Sequence, residues 1–235
     1  MKNKLIVRYL FLVLGCIFPL SPAWSRAYDD LLTALAVGHG AQVEALLDRG
    51  LDSDTTDPEG NSLLMLAARE GRLDMLEIIL KRRPNIMKRN KYGETALGLA
   101  SLRGHEKVIV RLLDAGARDT PEPGAWGALH YAAYAGAAPI VAQLLARAGC
   151  DLNHRAPNGQ TAAMLAAAQG HTGVLRQLHG ATGLDWSLTD AQGRTALDLA
   201  KLYGKTQAAA FIESVAKPQG DAKPQGDPAA IKNAP

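Results

Sequence analysis

The chain has 235 residues, 47% hydrophobic, 21% charged and 5% aromatic, with two cysteines. That composition excludes a disordered, collagen-like or disulfide-stapled protein, and the length fits one extended domain or two small ones. A formal charge of +3 points towards an anionic partner only until the charges are located along the chain.

Lys2, Lys4 and Arg8 precede an apolar run from Tyr9 to Leu20, followed by SPAWSRA. A basic start, an apolar stretch and a small-residue exit predict a secretory signal peptide over residues 1–27. The run is shorter than the roughly 20 residues that a membrane-spanning helix needs, and no later segment approaches that length. Cleavage is expected after Ser25 or Ala27, with Ala27 slightly favoured. Val13-Leu14-Gly15-Cys16 resembles a bacterial lipobox and offers a rival route through lipidation. IFPLSPAW after Cys16 stays hydrophobic where a lipoprotein usually turns polar, so no lipid anchor is expected. Removal of residues 1–27 takes Lys2, Lys4, Arg8 and Arg26 away, leaving 26 − 4 = 22 basic residues against 23 acidic ones. The mature chain is then close to neutral, a nucleic-acid partner loses its support, and the expected location is periplasmic or secreted.

Internal repetition dominates the rest. Glycines stand at 38, 71, 104, 136, 170 and 204, each after a short Ala/Leu-rich segment such as LMLAAREG or LHYAAYAG. Apolar pairs follow at Leu46-Leu47, Ile79-Leu80, Leu112-Leu113, Leu144-Leu145 and Phe211-Ile212, while the fifth unit has Leu178 followed by His179. A second glycine series at 60, 93, 159 and 193 opens the later units, with Ala125 in that place in the fourth. Each unit reads as a turn, a short helix, a glycine turn, a second helix and an extended loop. Ser62, Thr95, Thr161 and Thr195 stand where a helix N-cap belongs, and the following glycine suits a left-handed helix end. Helices this short need stacked neighbours to bury a continuous core.

These motifs resemble the ankyrin repeat, most clearly in GETALGLASLRGHEKVIVRLLDAGARD, GALHYAAYAG, LLARAGCDLNHRAPNGQTAAMLAAAQGH and DAQGRTALDLAKLYG. The resemblance implies an all-α ankyrin-repeat solenoid of about six helix-turn-helix repeats joined by extended loop fingers. It divides the chain into the leader (1–27), a repeat domain (28–215) and a tail (216–235). The approximate repeats are 29–56, 57–89, 90–121, 122–155, 156–189 and 190–215. The proline that usually follows the repeat threonine is replaced by Leu63, Ala96, Ala128, Ala162 and Ala196. Pro121, Pro123 and Gly124, and the residues near Gly180 to Gly183, mark junctions where irregular geometry is expected. The tail carries AKPQGD twice and almost nothing apolar, so it is expected to be disordered.

Little chemistry stands out. His39, His105 and His171 follow helix-ending glycines, and the resemblance makes His130 an inter-repeat hydrogen-bonding group. His154 and His179 have no partner at metal-ligand spacing. Cys150, the only cysteine left after leader cleavage, fills a small slot in Gly149-Cys150-Asp151 and reads as a packing residue rather than a redox thiol. No cofactor, metal or catalytic residue is expected. The first unit is acidic, and Lys81, Arg82, Arg83, Lys88, Arg89 and Lys91 form a basic block. That block reads either as solvated surface or as a basic finger facing an acidic partner.

The resemblance implies that a monomeric chain binds another protein on its concave side. The slots facing that side hold Arg69, Glu70, Lys91, Tyr92, Leu102, Arg103, Trp126, Tyr134, Gln169 and Tyr203. Tyr92, Leu102, Arg103, Trp126 and Tyr134 are expected at the centre of the patch, because Trp and Tyr supply much of the energy of protein interfaces. The expected roles are those of an exported adaptor, an inhibitor or immunity protein, or a stabiliser of a periplasmic enzyme, for instance in stress defence. The alternative, an enzyme or cofactor site between repeats, would need converging polar residues that this mapping does not supply.

Overall fold

The structure is a computed structural model that describes residues 22–216; most of the expected leader and the tail from residue 217 lie outside the described residues. The twelve described helices come as six antiparallel pairs. The first pair is α1 (Pro22–Val37) and α2 (Gly40–Asp48), and the second is α3 (Leu63–Arg69) and α4 (Leu73–Leu80). Then follow α5 (Ala96–Arg103) with α6 (Glu106–Asp114), and α7 (Ala128–Tyr134) with α8 (Ala138–Arg147). The last two pairs are α9 (Ala162–Gln169) with α10 (Thr172–His179), and α11 (Ala196–Leu202) with α12 (Thr206–Val215). Both expected leader cleavage points, after Ser25 and Ala27, fall within α1.

The odd-numbered helices stack into an inner layer and the even-numbered ones into an outer layer. An inner helix meets neighbours on several sides, so α3 buries every residue from Leu63 to Ala68 and α9 every residue from Ala162 to Ala167. An outer helix buries one stripe, as α6 does with Val108, Ile109, Leu112 and Leu113. Each such Leu or Ile contributes about 2 kcal/mol on leaving water, which no isolated helix of two turns achieves. This is the all-α repeat solenoid expected from the motifs.

The expected caps are present. The hydroxyls of Ser62, Thr95, Thr161 and Thr195 accept the amides of Met65, Gly98, Met164 and Asp198 at 3.2–3.4 Å. The fourth repeat has Gly127 at that place and no hydroxyl. The carboxylate of Asp119 reaches in instead, accepting the amides of Ala128 at 2.7 Å and Leu129 at 2.9 Å. A Cβ on Gly127 would lie 2.6 Å from Asp119 Oδ1, so only glycine admits this substitute cap. The Pro121–Gly124 segment, flagged as irregular in the sequence, forms the loop between Asp119 and the helix it caps.

The glycine ending an inner helix has two duties at Gly38, Gly71, Gly136 and Gly170. Gly71 has φ 68° and Gly136 φ 73°, the left-handed turn expected from sequence. At these four positions a side chain of the next repeat also crosses directly over the glycine. A Cβ at Gly71 would sit 2.6 Å from His105 Nδ1, and one at Gly136 would sit 2.6 Å from His171 Nδ1. The same imidazoles bring Nε2 to 3.0 Å from the carbonyls of Arg69 and Tyr134, binding one repeat to the previous one. Arg72 does this for the first repeat, donating to Ala36 O at 3.0 Å.

Four of the six residues of the basic block are engaged within the chain rather than facing outward as a finger. Lys81 pairs with Glu44 at 3.7 Å and Arg82 with Asp48, while Lys88 donates to the carbonyl of Asp54. Arg89 donates to the carbonyls of Gly93 and Thr120 and lies 3.6 Å from Glu122. The acidic first repeat and the basic second one therefore face each other. Exposed pairs of this kind contribute up to about 1 kcal/mol each, so they align repeats more than they stabilise them.

Arg83 is the only described non-glycine residue with positive φ, at 54°. It holds the place taken by Gly50, Gly116 and Gly149 in other repeats. Arg83→Gly is expected to raise stability by about 1 kcal/mol in denaturant unfolding. Asp119→Ala is expected to lower it by about 2 kcal/mol, because two helix-end amides lose their acceptor.

Candidate protein-binding surface

The two residues before each helix-ending glycine project from the ends of the inner helices. Those positions hold Arg69 and Glu70, Leu102 and Arg103, Tyr134 and Ala135, Ala168 and Gln169, and Leu202 and Tyr203. Large apolar side chains remain in water there: Leu102 is 37% exposed, Tyr134 46%, Leu202 59% and Tyr203 55%. Tyr92 on the third finger is 71% exposed. Glu70, Lys91, Arg103 and Gln169 are also exposed, and Arg69 pairs with Glu70 at 3.0 Å.

The structure brings the centre of the expected patch together unevenly. Trp126 is half-buried, its ring 5.1 Å from Tyr131 and 6.0 Å edge-on from Tyr134, centroid to centroid. The fingertips of the third and fourth repeats adjoin, since a Cβ on Gly93 would stand 3.6 Å from Ala125 Cβ. Tyr92 and Trp126 flank that contact in sequence, while Leu102 and Tyr134 are equivalent residues on stacked helices α5 and α7. Arg69 and Glu70 lie one repeat to one side; Gln169 and Tyr203 lie one and two repeats beyond the other. Tyr131 belongs to the cluster and was absent from the sequence mapping. Its hydroxyl donates to Glu94 Oε1 at 2.9 Å, and burial, then this bond, push its pKa up. The i, i+3 spacing from Tyr131 to Tyr134 places both on one helix face.

His105 and His171 join repeats, while His130 and His154 fasten the loops of the fourth repeat to its inner helix. His130 Nδ1 accepts the Gly127 amide at 3.3 Å while Nε2 lies 3.1 Å from the His154 carbonyl, which fits the neutral Nε2–H tautomer. His154 Nε2 in turn lies 2.9 Å from the Ala125 carbonyl. The Cys150 thiol lies 3.5 Å from the Leu144 carbonyl; burial, then the charge of Asp119, push its pKa up, away from the thiolate that redox chemistry needs. Among the described residues, no three His, Cys, Asp or Glu side chains gather as a metal site. An open groove of about 360 Å³ on the outer layer is lined by Leu73, Val110 and charged residues. Three of these charges are paired, Arg111 with Glu77 at 2.6 Å and Asp114 with Arg147 outside the groove. No described helix is long and apolar enough to cross a membrane.

Comparison with known proteins agrees with this architecture. The family model for ankyrin repeats (three copies) matches residues 31–122 and 129–218. An ankyrin repeat-containing protein of Treponema pallidum (strain Nichols) is 31% identical over 163 residues, covering 68% of this chain and 51% of the relative. A rice protein (Oryza sativa subsp. japonica) named as the probable E3 ubiquitin-protein ligase XBOS31 is 33% identical over 123 residues, 51% of this chain and 28% of the relative. The chain thus spans about half or less of these relatives. Among solved structures, a chain is similar in the complex of the predatory endopeptidase Bd0816 of Bdellovibrio bacteriovorus with immunity protein Bd3460. Its TM-score is 0.68 at 28% identity, covering 79% of this chain and 97% of that one.

Burial pushes the pKa of His130 below the ordinary imidazole value, with the Asp119 charge opposing. The unfolded chain therefore takes up this proton first as pH falls. Stability from this group is complete above about pH 6.5 and declines below it, by at most about 1.4 kcal/mol per pH unit. Urea unfolding at pH 7.5, 6.5 and 5.5 should show that decline, and His130→Gln should reduce it.

Proposed function

The chain belongs to the ankyrin repeat family, and we propose that it is an exported inhibitor or immunity protein holding a partner enzyme against its concave face. Ankyrin repeats act as protein-binding modules, so binding of a protein follows from the family itself. The finer reading is carried by exposed Tyr92, Leu102, Tyr134, Leu202 and Tyr203, which come from the third, fourth and sixth repeats, with Ala168 and Gln169 at the corresponding positions of the fifth. Scattered apolar residues on a protein surface are ordinary, but Leu102, Tyr134 and Leu202 recur at one repeat-equivalent position, two residues before the helix-ending glycine, which suits an extended interface. The endopeptidase–immunity protein complex, one chain of which this chain resembles along most of its length, supports an enzyme as partner class. The basic, apolar leader supports passage out of the cytoplasm, with Arg26 or Tyr28 as the first mature residue. An adaptor or stabiliser would use the same face; inhibition is the outcome that separates these roles.

The mature chain immobilised against the source organism's exported proteins is expected to retain one enzyme, whose activity falls on adding the chain. Trp126→Ala is expected to weaken that complex by about tenfold or more, with the unfolding midpoint little changed. Unchanged affinity sinks the concave patch, and undiminished or enhanced enzyme activity favours a stabiliser. Mass spectrometry of the processed protein should show Arg26 or Tyr28 at its N-terminus; a lipidated Cys16 would overturn ordinary cleavage.

A further inference from the structure

The first residue ahead of each outer helix carries the side chain that crosses back over the preceding repeat. Arg72, His105 and His171 each reach a carbonyl two residues before a helix-ending glycine, and Lys205 lies across Gly170, 3.0 Å from where a Cβ would be. The fourth repeat has Ala137 in this place. Its backbone, φ −81° and ψ 70°, matches His105 at −82° and 74° and His171 at −78° and 71°. Only the side chain is missing. A Cβ on Gly104 would meet nothing within 4 Å, and among the described residues no protein donor reaches the Leu102 carbonyl, the counterpart of those of Arg69 and Tyr134. The slot lies at the C-terminal, partly negative end of α5, between exposed Leu102 and Tyr134.

We infer that this slot receives a cationic hydrogen-bond donor from the bound protein, an arginine or lysine side chain on a protruding loop. The inference rests on the reading of the concave face as the binding surface. Its chemistry is the one the molecule uses at the neighbouring junctions, where guanidinium and imidazole groups meet the same carbonyl over the same glycine. An arginine also matches the surroundings, because its planar head lies well against Tyr134 while its N–H groups address the Leu102 carbonyl. The flanking Leu102 and Tyr134 would cover its methylene stem.

The test replaces the missing group from within: Ala137→His fills the slot from the chain itself. Melting of this variant is expected about 2–4 °C higher, and an unchanged or lowered midpoint overturns the slot geometry. Nα-acetylarginine methylamide, followed by amide NMR of the mature chain, should give saturable shifts at Leu102, Gly104 and His105. These shifts should vanish in Ala137→His and be absent with the norleucine analogue. No saturable shift, or the same shift in the variant, overturns the inference. With the captured enzyme, Ala137→His should weaken binding by about tenfold. Weakening by Trp126→Ala without weakening by Ala137→His overturns the slot and leaves the concave face standing. Loss of neither overturns both.

Discussion

The left-handed glycine under the next repeat's side chain is the constraint on which the solenoid depends. At Gly71 the backbone needs positive φ to turn from α3 into α4, and the His105 ring fills the space where a side chain would be. A Cβ there is excluded twice over, by conformation and by contact. The ring that excludes it also supplies the donor to the Arg69 carbonyl, so the turn and the inter-repeat bond are one arrangement. Because a helix of seven or eight residues cannot persist alone, this joint sets the distance at which the next inner helix stacks. The buried Leu and Ala layers follow from that spacing.

Electrostatics works at a different level. The acidic first repeat meets the basic end of the second through Glu44 and Asp48, so charges that look separable in the sequence are paired in space, and Lys88 adds a bond to the Asp54 backbone carbonyl. Such exposed pairs add little stability, yet they help align one repeat against the next. The pattern continues along the outer layer through Glu77–Arg111 and Asp114–Arg147. Since these partners stand a repeat apart, the outer layer is laced by charge while the inner layer is held by burial. A face free of this lacing is left at the ends of the inner helices, where the exposed tyrosines and leucines stand.

What the sequence made legible was local. The caps at Ser62, Thr95, Thr161 and Thr195 and the glycine turns depend on residues within one unit, and a 33-residue register locates them. The family resemblance made His130 an inter-repeat group, whereas its bond to the His154 carbonyl stays within residues 122–155. What escaped required knowing which units touch. Asp119 replaces a missing hydroxyl nine residues away, an economy visible only once Gly127 is seen to clear the path. The basic block reads as available in sequence because its acidic partners Glu44, Asp48 and Glu122 all lie more than 30 residues away. Tyr131 went unnoticed because it shares an inner helix with core alanines, although its ring completes the Trp126 cluster.

The fourth repeat concentrates these exceptions, and they have a common physical sense. It lacks the cap hydroxyl, the fingertip glycine and the crossing side chain that other repeats carry, and it has a carboxylate cap, Trp126 and Ala137 instead. In a solenoid each unit contacts only its neighbours, so a loss of cohesion at one junction stays at that junction and can be offset there. The Asp119 cap and the Tyr131–Glu94 bond offset part of it, leaving the inner ends of α5 and α7 with an open slot and exposed apolar side chains. A uniform stack would fill every such position with its own donors and offer a partner little to complete. Departure from the repeat is therefore what turns a self-satisfied stack into a surface able to distinguish one protein from another.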